Sequence, residues 1–160
     1  MASSVYSKIL DAVTTTTKTV TLTGITTSTN VVQMTVPSSG PPMPSTPFPG
    51  VIIAPFGGER LGRGSNISDD IGYPVLVCIV DAGNQTHTDA GLDTRLVWRE
   101  NIIDKFIRNR SAVSISSSKG NINDVEIDTL TAVDPSAWFD RNIFASPILL
   151  IVWFRKQRRA

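Results

Sequence analysis

Apolar and polar positions follow several different rhythms along this chain, and each rhythm implies a different element. Between Ser3 and Val13 the apolar residues Val5, Ile9, Ala12 and Val13 recur at helical spacing behind Ser3 and Ser4, both good caps, so a short amphipathic helix opens the chain. From Thr14 to Thr29 ten of sixteen residues are threonine, and Thr19, Thr21 and Thr23 alternate with Val20 and Leu22. A period of two in β-branched residues predicts an exposed or edge strand there, with a low-complexity linker as the alternative. Asn30 to Val36 is a further apolar-rich segment able to pair nearby, and Val51 to Pro55 reads as a short apolar strand. Tyr73 to Asp81 is an almost continuous β-rich apolar run, the pattern of a central strand covered on both faces.

Helical spacing returns after Asp89, which can cap a helix from about Ala90 to Asn109. Leu92, Leu96, Ile103, Phe106 and Ile107 fall on one side of it, while Asp93, Arg95, Glu100, Asp104 and Arg108 fall on others. Trp98 and Ile102 widen the apolar stripe, so this helix packs across a sheet and also touches something at its flank. Val125 to Val133 alternates as a strand, and Ile143 to Phe154 forms the last one. Its seven successive apolar residues, Ile148 to Phe154, again demand cover on both faces. This order predicts a single α+β domain over residues 1–160, a mostly antiparallel sheet joined by hairpins and packed by a long helix and a short N-terminal helix.

The remaining segments read as connections. Seven of the ten prolines lie between Pro37 and Pro55, so Ser38 to Pro49 can donate few ladder hydrogen bonds, and residues 37–50 read as an extended arm or loop, either disordered or, as favoured here, packed on another subunit. Glu59 to Gly72 reads as a polar loop closed by turn residues, Ser111 to Asn123 as a serine-rich loop, and residues 155–160 as a basic C-terminal tail.

Composition narrows the class. Hydrophobic residues at 41% and charged residues at 18% exclude a largely disordered chain. A formal net charge of +1 excludes long-range steering to nucleic acid or an acidic membrane by the chain as a whole. Cys78, the single cysteine, sits in the run Val75 to Val80, which rules out a disulfide framework and suits an intracellular, buried thiol. The first ten residues lack the basic and apolar regions of a secretory signal, and Ile148 to Phe154 is far below the roughly 18 residues of a membrane-spanning helix, so neither export nor a membrane span is expected.

Candidate chemistry is sparse. His87 is the only histidine, in the loop Gly83 to Asp89, and reads as an exposed polar residue; with one histidine and one strand-embedded cysteine a zinc site is not expected. Asp69, Asp70, Asp81, Asp89 and Asp93 could serve a hard cation, but their spacing fits no calcium loop and suits caps and turns. The glycines around Gly62-Arg63-Gly64 lack the following Gly-Lys-Ser/Thr and helix of a phosphate-binding loop, and no Gly-x-Ser-x-Gly elbow occurs. The reading is therefore no enzyme, no metal and no cofactor. Arg155, Lys156, Arg158 and Arg159 form the one dense basic cluster, able to touch phosphate by charge alone, with a solvated strand end as the plainer reading. Trp138 and Phe139 form an aromatic corner assigned to the core.

Taken in order, Asp69-Asp-Ile-Gly-Tyr-Pro-Val-Leu-Val-Cys-Ile-Val-Asp-Ala-Gly-Asn-Gln85, Leu96-Val-Trp-Arg-Glu-Asn-Ile-Ile-Asp-Lys-Phe106 and Asp134-Pro-Ser-Ala-Trp-Phe-Asp-Arg-Asn142 before an apolar strand, the chain resembles phage neck proteins, and among them the tail terminators of long-tailed bacteriophages. The resemblance covers about Val51 to Arg155; the threonine- and proline-rich N-terminal third departs from it. It implies a small α/β domain that closes into a ring, usually of six copies, caps the tail tube and docks onto a head connector, within a virion neck assembled in the host cytoplasm. The implied partners are further copies of the chain, the tail tube protein and a head-tail connector or stopper protein. The helix flank with Trp98, Arg99 and Glu100 and the loop with Arg60, Arg63, Asp69 and Asp70 are then the expected contact surfaces, and Arg155, Lys156, Arg158 and Arg159 would touch DNA if they line the lumen. The alternatives are another neck or minor tail component, a small nucleic-acid-binding module using the basic end, and, least favoured, a small enzyme.

Overall fold

Two fifteen-residue strands, antiparallel over their whole length, form the spine of the computed structural model, which describes residues 4–34, 48–62, 64–65, 67–82, 89–107 and 109–157. The elements are α1 (Val5–Lys18), α2 (Thr27–Asn30), β1 (Val31–Gln33), β2 (Gly50–Pro55), β3 (Arg60–Leu61), β4 (Ser68–Ala82), α3 (Asp89–Phe106), a 3-10 turn (Arg110–Ala112), β5 (Gly120–Asp128), α4 (Pro135–Arg141) and β6 (Ile143–Gln157). Strand order is β1-β2-β4-β6-β5, with β3 extending the β2 row along β4. Only β1 and β2 run parallel; every other described pair is antiparallel, so the fold is α+β with a mostly antiparallel sheet.

The core lies on one face of this sheet. The pairs Val75↔Leu150, Val77↔Ile148 and Tyr73↔Val152 set the alternation, so Val51, Ile53, Val75, Val77, Ile79, Ile148, Leu150 and Val152 point together toward the helices. Ile9, Leu10 and Val13 of α1 and Trp98, Ile102 and Phe106 of α3 meet them. The buried line of α3 is thus Trp98, Ile102 and Phe106, while Val97 and Ile107 are exposed, so the stripe expected from the sequence is rotated and Ile107 is not part of it.

Several expectations are corrected. No strand forms in Thr14 to Thr29: α1 continues to Lys18 because Thr14 and Thr17 turn their hydroxyls back to donate to Leu10 O (2.7 Å) and Val13 O (2.8 Å), which hides the polar atom and leaves the methyl for the core. Val20, Leu22 and Ile25 then anchor in the core without a ladder. The Glu59 to Gly72 loop instead holds β3 and the first part of β4, and the strand expected at Val125 to Val133 begins earlier, at Gly120, and ends at Asp128. The long strands β4 and β6 are neighbours, but α3 and β5 intervene in sequence, so no hairpin joins them. The signals of α4 are local: Asp134 caps it by accepting from Ser136 N and Ala137 N, Pro135 opens the first turn, and Asn142 closes it with φ 50°. Most of the proline-rich segment, residues 35–47, lies outside the described residues, as does His87.

Candidate functional site

The α3 flank expected as a contact surface is largely internal. Arg99 is 6% exposed; it donates to Ser146 Oγ (2.9 Å), Pro147 O (2.7 Å) and Leu130 O (2.9 Å). The pairing of β5 with β6 ends at Asp128↔Leu149, and Pro147 has no N–H, so the guanidinium bridges the gap where the two strands part. Burial holds the Arg99 pKa below its ordinary value. Trp98 is buried too, with Nε1 donating to Thr23 O (3.0 Å), and only Glu100 of the expected trio is exposed. One turn earlier, Arg95 pairs with buried Asp81 and lies over the Trp98 ring at 5.1 Å. The helix charges facing the sheet therefore fasten α3 in place, because each meets an acceptor on β4, β6 or the chain beside β6.

The surface of the molecule is more informative at the two ends of the spine. At one end, the turn from β3 into β4 leaves Leu61 85% and Ile67 77% exposed, flanked by exposed Arg60. Ser65 and Ser68 hold this turn through hydroxyl contact (2.9 Å) and Ser65 N donating to Ser68 O (2.8 Å). The sequence-derived contact and lumen residues meet here, since Arg155 donates from Nε and an NH2 group to Asp70 Oδ1 (2.8 Å) and Oδ2 (2.9 Å). This bidentate pair holds the Asp70 carboxyl below the usual range and raises the Arg155 guanidinium. Lys156 is exposed beside it, next to an open cleft of about 470 Å³ lined by Ser65, Ile67, Ser68, Asn121, Arg155 and Gln157. Arg63, Arg158 and Arg159 lie outside the described residues.

At the opposite end, α4 leads into β6. Its neighbours Trp138 and Phe139 point apart: Trp138 packs on the core, whereas Phe139 is 83% exposed, which corrects its assignment to the core. Adjacent positions on a helix are about 100° apart, and both can be buried, as Ile9 and Leu10 are on α1, so the outward turn of Phe139 follows from how α4 sits on the sheet.

The acidic residues are dispersed: Asp70 pairs with Arg155, Asp81 with Arg95, and Asp93 is exposed on α3. Among the described residues no three His, Cys, Asp or Glu side chains gather in a way that could hold a metal ion. Burial pushes the Cys78 thiol up to about 12, which makes it a poor nucleophile at neutral pH. No helix among the described residues is long and apolar enough to cross a membrane. The arrangement offers exposed apolar side chains at two ends of a rigid sheet, and the chemistry it supports is binding. No family model matches the chain, and no curated protein matches it.

Proposed function

We propose that this chain is a structural subunit of a phage neck, a tail-terminator-like protein that forms a ring between tail tube and head connector. The observation that supports this reading most is the placement of Leu61 and Ile67 at one end of the β4–β6 spine and Phe139 at the other. Fourteen strand steps separate those ends by roughly 45 Å. Large apolar groups at 77–85% exposure are available as contacts, and a protein joining two different neighbours along one axis needs such contacts at both ends. The α+β frame, and the resemblance of the sequence segments 69–85, 96–106 and 134–142 to neck proteins, support this reading. DNA in the lumen would meet Lys156 more readily than Arg155, because Asp70 already occupies the Arg155 guanidinium.

The test is a mass measurement of the purified protein, alone and with isolated tail tubes, combined with electron microscopy. The proposal expects a ring-sized species or tubes capped at one end, and loss of that association in Leu61→Glu/Ile67→Glu and in Phe139→Glu while each variant keeps its melting temperature. A protein that stays monomeric and never binds tubes would overturn it.

A further inference from the structure

The flank formed by α3 and β5 carries negative charge that no cation among the described residues answers. On α3 and the residue that follows it, the exposed positions Asp93, Val97, Glu100, Asp104 and Ile107 recur every three or four residues, so one stripe presents three acids and two apolar side chains to solvent. On β5, Val125 and Ile127 turn toward the core, so Asp124, Glu126 and Asp128 share the opposite face of the sheet, its second face, and all three are exposed. The ion pairs among the described residues join Arg95 to Asp81 and Arg155 to Asp70, so none of these six acids takes part in one.

Between the two elements lies an open groove of about 400 Å³, lined by Ile103 and Ile107 from the helix side and by Val125, Ile127, Asp124 and Glu126 from β5. Ile103 and Ile127 are only partly buried and Ile107 is 49% exposed, so the core is incompletely covered along this seam. An acidic surface alone is ordinarily a solvated one. The groove changes that, because an apolar seat bordered by unpaired carboxylates favours a ligand that buries an aliphatic side chain and brings cations to the rim.

The same charges narrow the choice of ligand. Groove-on-groove pairing of two copies would set acid against acid. The chain's own exposed cations that accompany exposed apolar groups lie at the ends of the spine, Arg60 and Lys156 with Leu61 and Ile67, and Arg141 with Phe139, and the ring reading gives those ends to the axial neighbours. Asp124 Oδ1 already takes the Val125 N–H (2.8 Å), so the ligand enters by its side chains and not as an added strand.

We propose that this groove is the docking site for a basic amphipathic segment of another polypeptide, which seats an aliphatic side chain among Ile103, Ile107 and Ile127 and sets lysine or arginine against Asp124 and Glu126. The choice of another polypeptide over a second copy rests on the ring reading; the groove and its charge do not.

The experiment titrates the full chain with fluorescein-labelled synthetic peptides of equal length: one of lysine and leucine at helical spacing, one with glutamate in place of lysine, and one with serine in place of leucine. Fluorescence anisotropy gives the affinities, and hydrogen exchange followed by mass spectrometry gives the place of binding. The lysine-leucine peptide should bind at least about tenfold more tightly than either of the others and protect residues 103–107 and 124–129. Glu126→Lys and Ile107→Glu, both at exposed positions, should each weaken it at least about tenfold while keeping the parent melting temperature. Equal affinity for the lysine-serine peptide, protection elsewhere on the chain, or an affinity unmoved by either substitution would overturn the proposal. So would self-association, measured by sedimentation without any peptide, that Ile107→Glu abolishes, since the groove would then hold a second copy. Binding to tail tubes is a separate readout: a seated peptide without tube binding removes the ring reading alone, and tube binding without a seated peptide removes this proposal alone.

Discussion

Replacing Arg99 by methionine tests the claim that a buried cation closes the gap where β5 leaves β6. Methionine keeps most of the aliphatic stem and its packing, so the change isolates the guanidinium. Three hydrogen bonds disappear, to Ser146 Oγ, Pro147 O and Leu130 O. Bonds from a charged donor contribute about 1.5–3 kcal/mol each, and against their sum stands the several kcal/mol that the buried cation no longer costs. The net loss expected for Arg99→Met is about 2–4 kcal/mol, or a fall in melting temperature of about 5–15 °C for a domain of this size. Ser146→Ala removes one acceptor of the three and should cost about 1 kcal/mol, and the double variant should lose less than the sum because the two share a bond. Urea unfolding of all four proteins, followed by tryptophan fluorescence, gives the cycle. An Arg99→Met variant within about 0.5 kcal/mol of the parent would refute the bridging role, since unpaired carbonyls at that position would then be costless.

Asp81→Ala leaves Arg95 over the Trp98 ring with no carboxylate and Ala82 N without its acceptor, so unfolding should ease by about 3–5 kcal/mol, read by the same urea titration. At Gly120 φ is 155° and an added Cβ would stand 1.9 Å from Arg155 O; Gly120→Ala should therefore displace the start of β5, seen as loss of amide protection at Asn121 and Ile122 while the β2–β4 ladder stays protected. The Asp70 pKa is depressed in the folded state by the Arg155 hydrogen bond, so its contribution is present above the unfolded carboxylate value and is lost as pH falls through the lower folded value. Asp70→Asn should accordingly lower stability slightly at pH 7 and converge with the parent once the pH falls below the depressed folded value, the difference being small because the pair is exposed.

Much of the sheet was legible because its signal is local. The runs Tyr73 to Asp81 and Ile148 to Phe154 have too many successive apolar residues for a one-sided strand, and they became the inner parts of β4 and β6. The threonine-rich stretch misled because threonine carries β propensity and a helix-compatible hydroxyl at once. Which of the two prevails at Thr14 and Thr17 depends on whether Leu10 O and Val13 O lie within reach and on the core that buries the methyls, and neither is a property of the local sequence. Arg99 was placed on a contact surface only through the resemblance to neck proteins, and the acceptors that bury it come from residues 31 to 48 positions away, beyond any local pattern. Exposure of Leu61 and Ile67 could not be read from pattern either, since an apolar residue in a turn looks the same whether or not something covers it. The same holds for Phe139: adjacent helix positions can both be buried, as Ile9 and Leu10 are, so its place next to Trp138 did not by itself decide which ring faces outward.

The edges of the sheet limit how copies of the chain can associate. Val125 and Ile127 point their side chains into the core, so their N–H and C=O groups aim away from β6, along the outer edge of β5. An edge of this length invites addition of a further strand. Two features oppose it here: Asp124 Oδ1 takes the Val125 N–H itself (2.8 Å), and Asp124, Glu126 and Asp128 are exposed in a row on the second face. A second β5 laid antiparallel against this edge, in the registers that pair residues 124–128 with one another, would set carboxylate opposite carboxylate, each such pair being repulsive. Self-pairing of β5 would also extend the assembly by a two-fold operation that closes at two copies, whereas a ring requires two different surfaces per subunit. Leu61 and Ile67 at one end, Phe139 at the other and an edge guarded by acids therefore favour contacts through side chains at the ends of the spine over continuation of the sheet, and a β5-to-β5 dimer in solution would count against the ring.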